Sequence, residues 1–207
     1  MTYLNPMRLY LARHAETASN LQGINFNDKD DKPLTSNGVF QSHQLAKRLA
    51  GLEIDQIFIS ESKRSYQTAL PFLKLSRLSF QKDQRLNEAD FGIFSGLTLQ
   101  EAESKYPEVW QKRLEDKYNF RIPEGESYKD VARRLDSFFQ ELEQTAKKQK
   151  LKNILIITHA TPLKVFLIHF LGYSVKEADA IYFNNASLSI FDFNKNGVKA
   201  IKIAEHN

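Results

Sequence analysis

Met7-Arg8-Leu9-Tyr10-Leu11-Ala12-Arg13-His14-Ala15-Glu16-Thr17 decides the fold. Residues 7–12 are apolar apart from Arg8, the pattern of a strand buried in a parallel sheet. Such a strand delivers the residues behind it to the carboxyl edge of an open α/β sheet, where these folds bind their ligands. Arg13 and His14 would arrive there side by side. An imidazole in that place can act as a nucleophile, and a guanidinium can hold a phosphate through two parallel charge-assisted hydrogen bonds. One Arg-His pair is a weak signal. A second junction of the same form, Asn153–Thr158 followed by His159, strengthens it, so two of the five histidines in the chain sit directly behind apolar strands.

Outward from that first strand, residues 34–51 read as a helix. Thr35-Ser36-Asn37 supplies N-cap candidates, Leu45 and Leu49 stand one turn apart, and Gly51 closes it. Residues 54–60 read as a second buried strand with Ile54, Ile57 and Ile59 inside. Residues 63–75 read as a helix in which Pro71 predicts a kink or an early end. A weaker strand is predicted over 78–81. The segment 88–125 is rich in aromatics and turn residues, and predicts two short helices joined at Tyr106-Pro107 and ended by Pro123-Glu124-Gly125. Residues 126–150 form a long amphipathic helix with Val131, Leu135, Phe138, Phe139 and Leu142 on one stripe. Thr161-Pro162 opens a helix to Leu171 that Gly172 ends. Residues 188–193 and 198–203 flank Asn196-Gly197, a hairpin signal. Strands alternating with helices predict a three-layer α/β/α fold, its sheet mainly parallel with an antiparallel C-terminal edge. A single domain over 1–207 is expected, with 88–125 as a lid or specificity insertion.

Composition narrows the chemistry. The chain has no cysteine, which excludes disulfides, thiolate metal sites and phosphatases built on a cysteine nucleophile. A hydrophobic fraction of 42% fits a globular domain and not a disordered chain. The longest apolar stretch, 163–173, holds Lys164 and His169 and falls short of the roughly 20 residues needed to cross a bilayer. The first residues carry neither a basic n-region nor a long apolar core, so a cytoplasmic location is expected. The formal charge of +4 and pI near 9.1 favour anionic partners only mildly. Lys147-Lys148-Gln149-Lys150 suits the end of a helix better than a nucleic-acid footprint. The expected partner is a small-molecule phosphate ester, with no nucleic acid and no membrane, and the chain is expected as a monomer or homodimer.

Two further places supply reactive groups. Ser60 to Arg64 follow the second strand and open a helix whose first amides welcome an anion, with Arg64 as a second fork-shaped donor. Leu86-Asn87-Glu88 brings a carboxylate towards the same edge. A nucleophile, positive charge for phosphoryl oxygens and an acid for the leaving alcohol are the parts of a phosphoryl transfer that needs no metal.

With these residues in view, the chain resembles the histidine phosphatase superfamily, the phosphoglycerate mutase-like proteins. The resemblance runs from end to end. Its signature segment is Leu-Tyr-Leu-Ala-Arg13-His14-Ala-Glu-Thr with Asn20. There follow Pro33-Leu34-Thr35 with Gly38 and Gln41, and Ser60 to Arg64 with Gln67-Thr68-Ala69. Leu86-Asn87-Glu88 with Phe91-Gly92 and Gly96, then Pro123 to Ser127, and Ile157-Thr158-His159 complete it. The resemblance implies transient phosphorylation of His14, with Arg13, Arg64 and His159 clamping the phosphoryl group. It implies that Glu88 serves as acid and then base, that Asn20 touches the phosphate, and that neither cofactor nor metal takes part.

The chain departs from the family where glycine usually follows each active histidine, for Ala15 and Ala160 stand there. Alanine tolerates a close ligand approach if its methyl fits, but not a positive φ. Ala160 therefore enters as a wall of the substrate site. Phe91 replaces the tyrosine of the cofactor-dependent mutase branch, Leu99 stands about where its lysine belongs, and Lys112-Arg113 near Trp110 only approximates its arginine pair. A phosphatase acting on small phosphate monoesters is the expected activity. A cofactor-dependent phosphoglycerate mutase and a catalytically silent phosphate-binding module are the alternatives. Lys112, Arg113, Lys117 and Arg121 are expected mainly as surface charges, with one or two able to meet a second anionic group, His43 and His169 as structural or exposed, and His206 as part of a frayed tail.

Overall fold

The computed structural model describes residues 6–24 and 31–205, so His206 lies outside the described residues. β1 (Met7–Arg13) leads through the short α1 (Ala18–Leu21) to α2 (Ser36–Leu49), and β2 (Gln56–Ile59) to α3 (Lys63–Ser76). β3 (Phe80–Lys82) is followed by two single 3₁₀ turns, then α4 (Leu99–Lys105), α5 (Pro107–Glu115) and the long α6 (Tyr128–Gln149). β4 (Asn153–Thr158) leads into α7 (Ala160–Leu171) and α8 (Val175–Ala180), and β5 (Leu188–Asn194) turns into β6 (Gly197–Glu205).

The strands form one sheet in the order β3-β2-β4-β1-β5-β6. The first four are mutually parallel and the last two antiparallel, so the expected mixed sheet is observed. β1 and β4 are neighbours at its centre, with Leu9 opposite Ile154 and Arg13 opposite Thr158. The two-residue side-chain period of a strand divides the core in two. Leu9, Leu11, Ile154 and Ile156 pack under α6 and α7 against Phe138, Phe139 and Phe166. Tyr10, Ala12, Leu155 and Ile157 pack under α2 and α3 against Leu45, Leu49, Ala69 and Phe72.

Local signals hold with small shifts. Thr35 caps α2 by accepting the Gly38 N–H, and the Asn196-Gly197 turn joins β5 to β6. Gly38 is required for a separate reason: a Cβ there would lie 2.1 Å from the Glu16 carbonyl oxygen, so α2 docks directly on the loop behind His14. Pro71 does not end its helix. α3 runs through it to Ser76, because Ala69 and Phe72 on either side are buried against the sheet and packing prevails over the missing donor. The third strand covers residues 80–82, and α8 was not foreseen; six residues are too few for a periodicity to stand out.

Candidate active site

Strand order brings the reactive residues into a row. Because β2, β4 and β1 are consecutive and parallel, Ser60, His159 and His14 leave the same edge side by side. The His14 N–H donates to the Thr158 carbonyl at 2.9 Å, and the Ser60 N–H to the Ile157 carbonyl at 3.1 Å. The imidazoles of His14 and His159 come to 5.1 Å between centroids, although 145 positions separate them in the chain. Both rings are buried.

The proton on His14 can be assigned from its neighbour. Nδ1 lies 2.7 Å from the Ala15 carbonyl oxygen, which can only accept, so Nδ1 carries the hydrogen and the Nε2 lone pair is exposed to the cavity. Burial, followed by the charges of Arg64 and Arg13, holds the His14 imidazole well below its ordinary value. Burial and Arg64 do the same to His159. Both rings are therefore neutral near pH 7.

Two guanidiniums flank them. Arg13, at the end of β1, donates from Nη1 to the Phe183 carbonyl at 2.6 Å, and its buried Nε has no partner among the described residues. Arg64, in the first turn of α3, reaches the Asp31 carboxylate with Nη1 at 2.9 Å and His159 Nδ1 with Nη2 at 3.1 Å. Burial lowers both guanidinium pKa values, yet arginine stays charged at any working pH. Glu88 accepts the N–H of Ala89 at 2.9 Å and that of Thr161 at 3.2 Å, which fixes its carboxylate at the start of α7. Asn20 turns its oxygen inward onto the Thr17 N–H and the Asn185 amide.

Arg13, His14, Asn20, Arg64, Glu88 and Ala160 line one cavity of about 720 Å³. His159 lines an adjoining cavity of about 340 Å³ that shares Arg64 and Glu88. All seven residues singled out from the sequence thus converge on one edge of the sheet. The two alanines cause no strain, since neither Ala15 nor Ala160 has a positive φ. The Ala15 N–H is held by Thr68 Oγ1 at 2.8 Å. Such a site can place one tetrahedral anion between two neutral imidazoles and two fixed cations, with a carboxylate beside it.

A second group of polar and charged residues lines the same cavity: Arg113 and Lys117, two of the four cations expected to be able to meet a second anionic group, with Tyr128, Lys164 and Asp179, which the sequence did not single out. Arg113 is not the surface charge expected of it: it is buried, with its guanidinium 5.9 Å from the Trp110 ring centroid. Lys117 pairs with Asp179 at 2.6 Å, and Lys164 reaches the other oxygen of that carboxylate at 3.1 Å. Tyr128 donates its hydroxyl to Asp179 at 3.4 Å. Burial, with Arg113 adding to it, pushes the Lys117 ammonium down to about 8. Burial pushes the Asp179 carboxyl up, but the two lysines outweigh it and hold it below its ordinary value. Lys112 and Arg121 are exposed as expected. His169 is a structural residue paired with Asp136 at 2.9 Å, and His43 is exposed. The four-residue spacing of Arg113 and Lys117 was the available signal for this wall; nothing near Asp179 in the sequence announces it.

Comparison with known proteins agrees with this geometry. The model of the histidine phosphatase superfamily (branch 1) matches residues 9–206. The chain is 34% identical over 177 residues to 6-phosphofructo-2-kinase/fructose-2,6-bisphosphatase 3 of Homo sapiens, covering 84% of this chain and 32% of that protein. A similar match at 32% identity covers 85% of this chain and 35% of the enzyme of the same name, without the numeral, from Gallus gallus. The chain thus spans about a third of the length of these relatives. Among solved structures, the alpha-ribazole phosphatase from Shigella flexneri superposes with a TM-score of 0.83 at 25% identity, over 96% of both chains. A phosphoglycerate mutase from Bacillus anthracis shares the fold with a TM-score of 0.83 at 20% identity, over 98% of this chain and 95% of that one. With the family's motifs in order and their side chains gathered at one sheet edge, the chain belongs to branch 1 of the histidine phosphatase superfamily.

Proposed function

We propose that the protein is a phosphatase that hydrolyses small phosphate monoesters through a phosphohistidine on His14. The observation that carries this reading is the pair of imidazoles 5.1 Å apart, with His14 Nδ1 tied to a carbonyl so that Nε2 is the nucleophilic nitrogen. In the first step His14 Nε2 attacks phosphorus, the bond from phosphorus to the ester oxygen breaks, and Glu88 gives the leaving alkoxide its proton. Arg13, Arg64 and His159 hold the phosphoryl oxygens, where negative charge must be met in the transition state. In the second step Glu88 takes a proton from water, whose oxygen bonds to phosphorus as the P–N bond breaks. The products are an alcohol and inorganic phosphate, and no metal is needed for either step.

We also infer that the substrate carries a second anionic group. Arg113, Lys117 and Lys164 line the cavity that holds the reactive residues, three cations against the single Asp179 carboxylate, and this excess of positive charge with the neutral Tyr128 hydroxyl suits a second phosphate or a carboxylate. The names of the fructose-2,6-bisphosphatase relatives support a bisphosphorylated sugar as the first substrate to try. Phe91, Leu99, Trp110, Arg113, Leu114 and Lys117 all come from 88–125, which is consistent with that segment as the specificity insertion.

The test is release of inorganic phosphate from p-nitrophenyl phosphate and fructose 2,6-bisphosphate in the presence of EDTA. Acid-labile phosphate trapped on the protein during turnover is expected, as is loss of turnover in His14→Ala. Full activity of His14→Ala, or activity abolished by EDTA, overturns the reading. The cationic wall also keeps a mutase in view, since a site able to hold a second phosphate could retain a bisphosphate and return its phosphoryl group. Stimulation of 3- to 2-phosphoglycerate conversion by 2,3-bisphosphoglycerate would establish that reading instead.

A further inference from the structure

Three serines behind His159 have no part in the reaction as written above. Ser60 and Ser65 are fully buried and Ser62 caps α3. Ser60 Oγ lies 2.8 Å from His159 Nε2 and 2.7 Å from Ser65 Oγ. Ser62 Oγ lies 3.0 Å from both of the other hydroxyls. A ring of three hydroxyls, those of Ser60 and Ser65 buried and that of Ser62 half-buried, therefore abuts the one imidazole edge that faces away from Arg64.

The direction of these bonds follows from what each group can do. A guanidinium has donors only, so His159 Nδ1, 3.1 Å from Arg64 Nη2, must present its lone pair. A neutral imidazole carries one hydrogen, which then sits on Nε2 and points at Ser60 Oγ. Ser60 accepts it and passes its own hydrogen to Ser65 Oγ. The two active-site rings thus carry opposite tautomers: His14 is protonated on Nδ1 against Ala15, and His159 on Nε2 against Ser60. A hydroxyl suits this place in a way a carbonyl or carboxylate would not. It accepts from Nε2–H while its own proton adapts to the neighbouring serines, and it adds no charge beside the bound anion.

We propose that Ser60, supported by Ser62 and Ser65, is a positioning residue that fixes the tautomer and orientation of His159, and through it the phosphoryl-binding geometry. The kinetic part of this proposal rests on the phosphatase reading; the tautomer part does not. No metal or second substrate enters, and no covalent step is added to the reaction.

The experiment has a spectroscopic and a kinetic arm. Nitrogen-15 NMR of the wild-type protein is expected to show a pyrrole-type shift at Nε2 and a pyridine-type shift at Nδ1 of His159, and the reverse at His14. With five histidines in the chain, the signals can be assigned by single replacements. Ser60→Ala should give a mixed tautomer at His159 and lower kcat/KM for p-nitrophenyl phosphate roughly ten- to hundredfold, by analogy with the loss of a partner that orients a metal-bound histidine. Ser60→Thr, which keeps the hydroxyl, should recover most of that loss. A wild-type His159 protonated on Nδ1 overturns the proposal, as does Ser60→Ala with wild-type kcat/KM. Should Ser60→Ala fail to fold, Ser60→Cys replaces it, because a thiol of similar shape is a far weaker acceptor; wild-type kinetics there overturn the proposal equally. If His14→Ala stays active, the phosphatase reading fails, while the nitrogen shifts of His159 still decide the role of Ser60.

Discussion

Replacing Arg64 with lysine tests whether fork geometry, and not charge alone, holds the phosphoryl group. Arg64 uses two ends of one plane: Nη1 is fixed by Asp31 at 2.9 Å and Nη2 faces His159 at 3.1 Å. Asp31 also accepts the Lys63 N–H, so it ties the guanidinium to the backbone at the start of α3. A lysine keeps the charge but concentrates it at one atom, and it cannot serve Asp31 and a phosphoryl oxygen in the same geometry. The variant should lose at least one charge-assisted hydrogen bond to the anion, worth about 1.5–3 kcal/mol, which is roughly a 10- to 150-fold loss in kcat/KM. Arg64→Ala should lose more, because the charge goes as well. Asp31→Asn should cost only about two- to fivefold, since a carboxylate more than a third exposed is screened by water. The assay is initial-rate kinetics on p-nitrophenyl phosphate at constant ionic strength, with a thermal melt of each variant to establish folding. An Arg64→Lys enzyme within threefold of wild type would refute the argument from geometry.

Lys117, at about 8, is charged below that pH and neutral above it. KM for a bisphosphorylated substrate should therefore rise roughly tenfold as pH passes from 7 to 9, while KM for p-nitrophenyl phosphate should not follow. Asp179 raises the Lys117 pKa, so Asp179→Asn should move that rise to lower pH; a rise at the same pH would contradict the pairing. Gly92 has φ +49° and a Cβ there would lie 2.0 Å from the Pro123 carbonyl oxygen. Gly92→Ala should destabilise the fold by roughly 2–4 kcal/mol in urea denaturation, from a left-handed backbone and overpacking together; an unchanged midpoint would refute this. His14 and His159 are held well below their ordinary values in the fold, so the unfolded chain binds more protons than the native one below about pH 6.5. Stability due to these rings is present above that pH and falls on acidification. Urea midpoints at pH 7 and 5.5 should differ less in the His14→Gln, His159→Gln double variant than in wild type, and an equal difference would count against two neutral rings.

The strands and long helices were legible because burial writes itself into a periodicity. β1 and β4 are near-continuous apolar runs, and α6 shows its stripe over 22 residues. Arg13, His14 and His159 were legible because each follows such a run, and a strand end is a position as well as a conformation. Glu88 and Arg64 needed the motif around them. Arg113 was misplaced because a charged residue in an amphipathic segment is ordinarily solvated; Trp110 lies one turn before it on α5, but Tyr128, which also covers it, is brought near only by the fold. Asp31 and Asp179 were invisible for a related reason. Each acts through partners 33 and 62 residues away, at positions where an acidic side chain would be unremarked on any surface.

What no local pattern contained was the order of the strands, and the chemistry depends on it. With β4 between β1 and β2, the residues that leave the three strands must stand as Ser60, His159, His14, each one strand spacing from the next. A sheet that placed β2 next to β1 would keep every motif and every helix, yet it would set Ser60 against His14 and leave His159 Nε2 without its acceptor. Arg64, opening the helix after β2, would move with Ser60 and lose its contact with His159 Nδ1. The opposite tautomers of the two rings therefore follow from topology: His14 is fixed by the carbonyl next to it in sequence, whereas His159 is fixed from both sides by residues that only the β2–β4 pairing can supply.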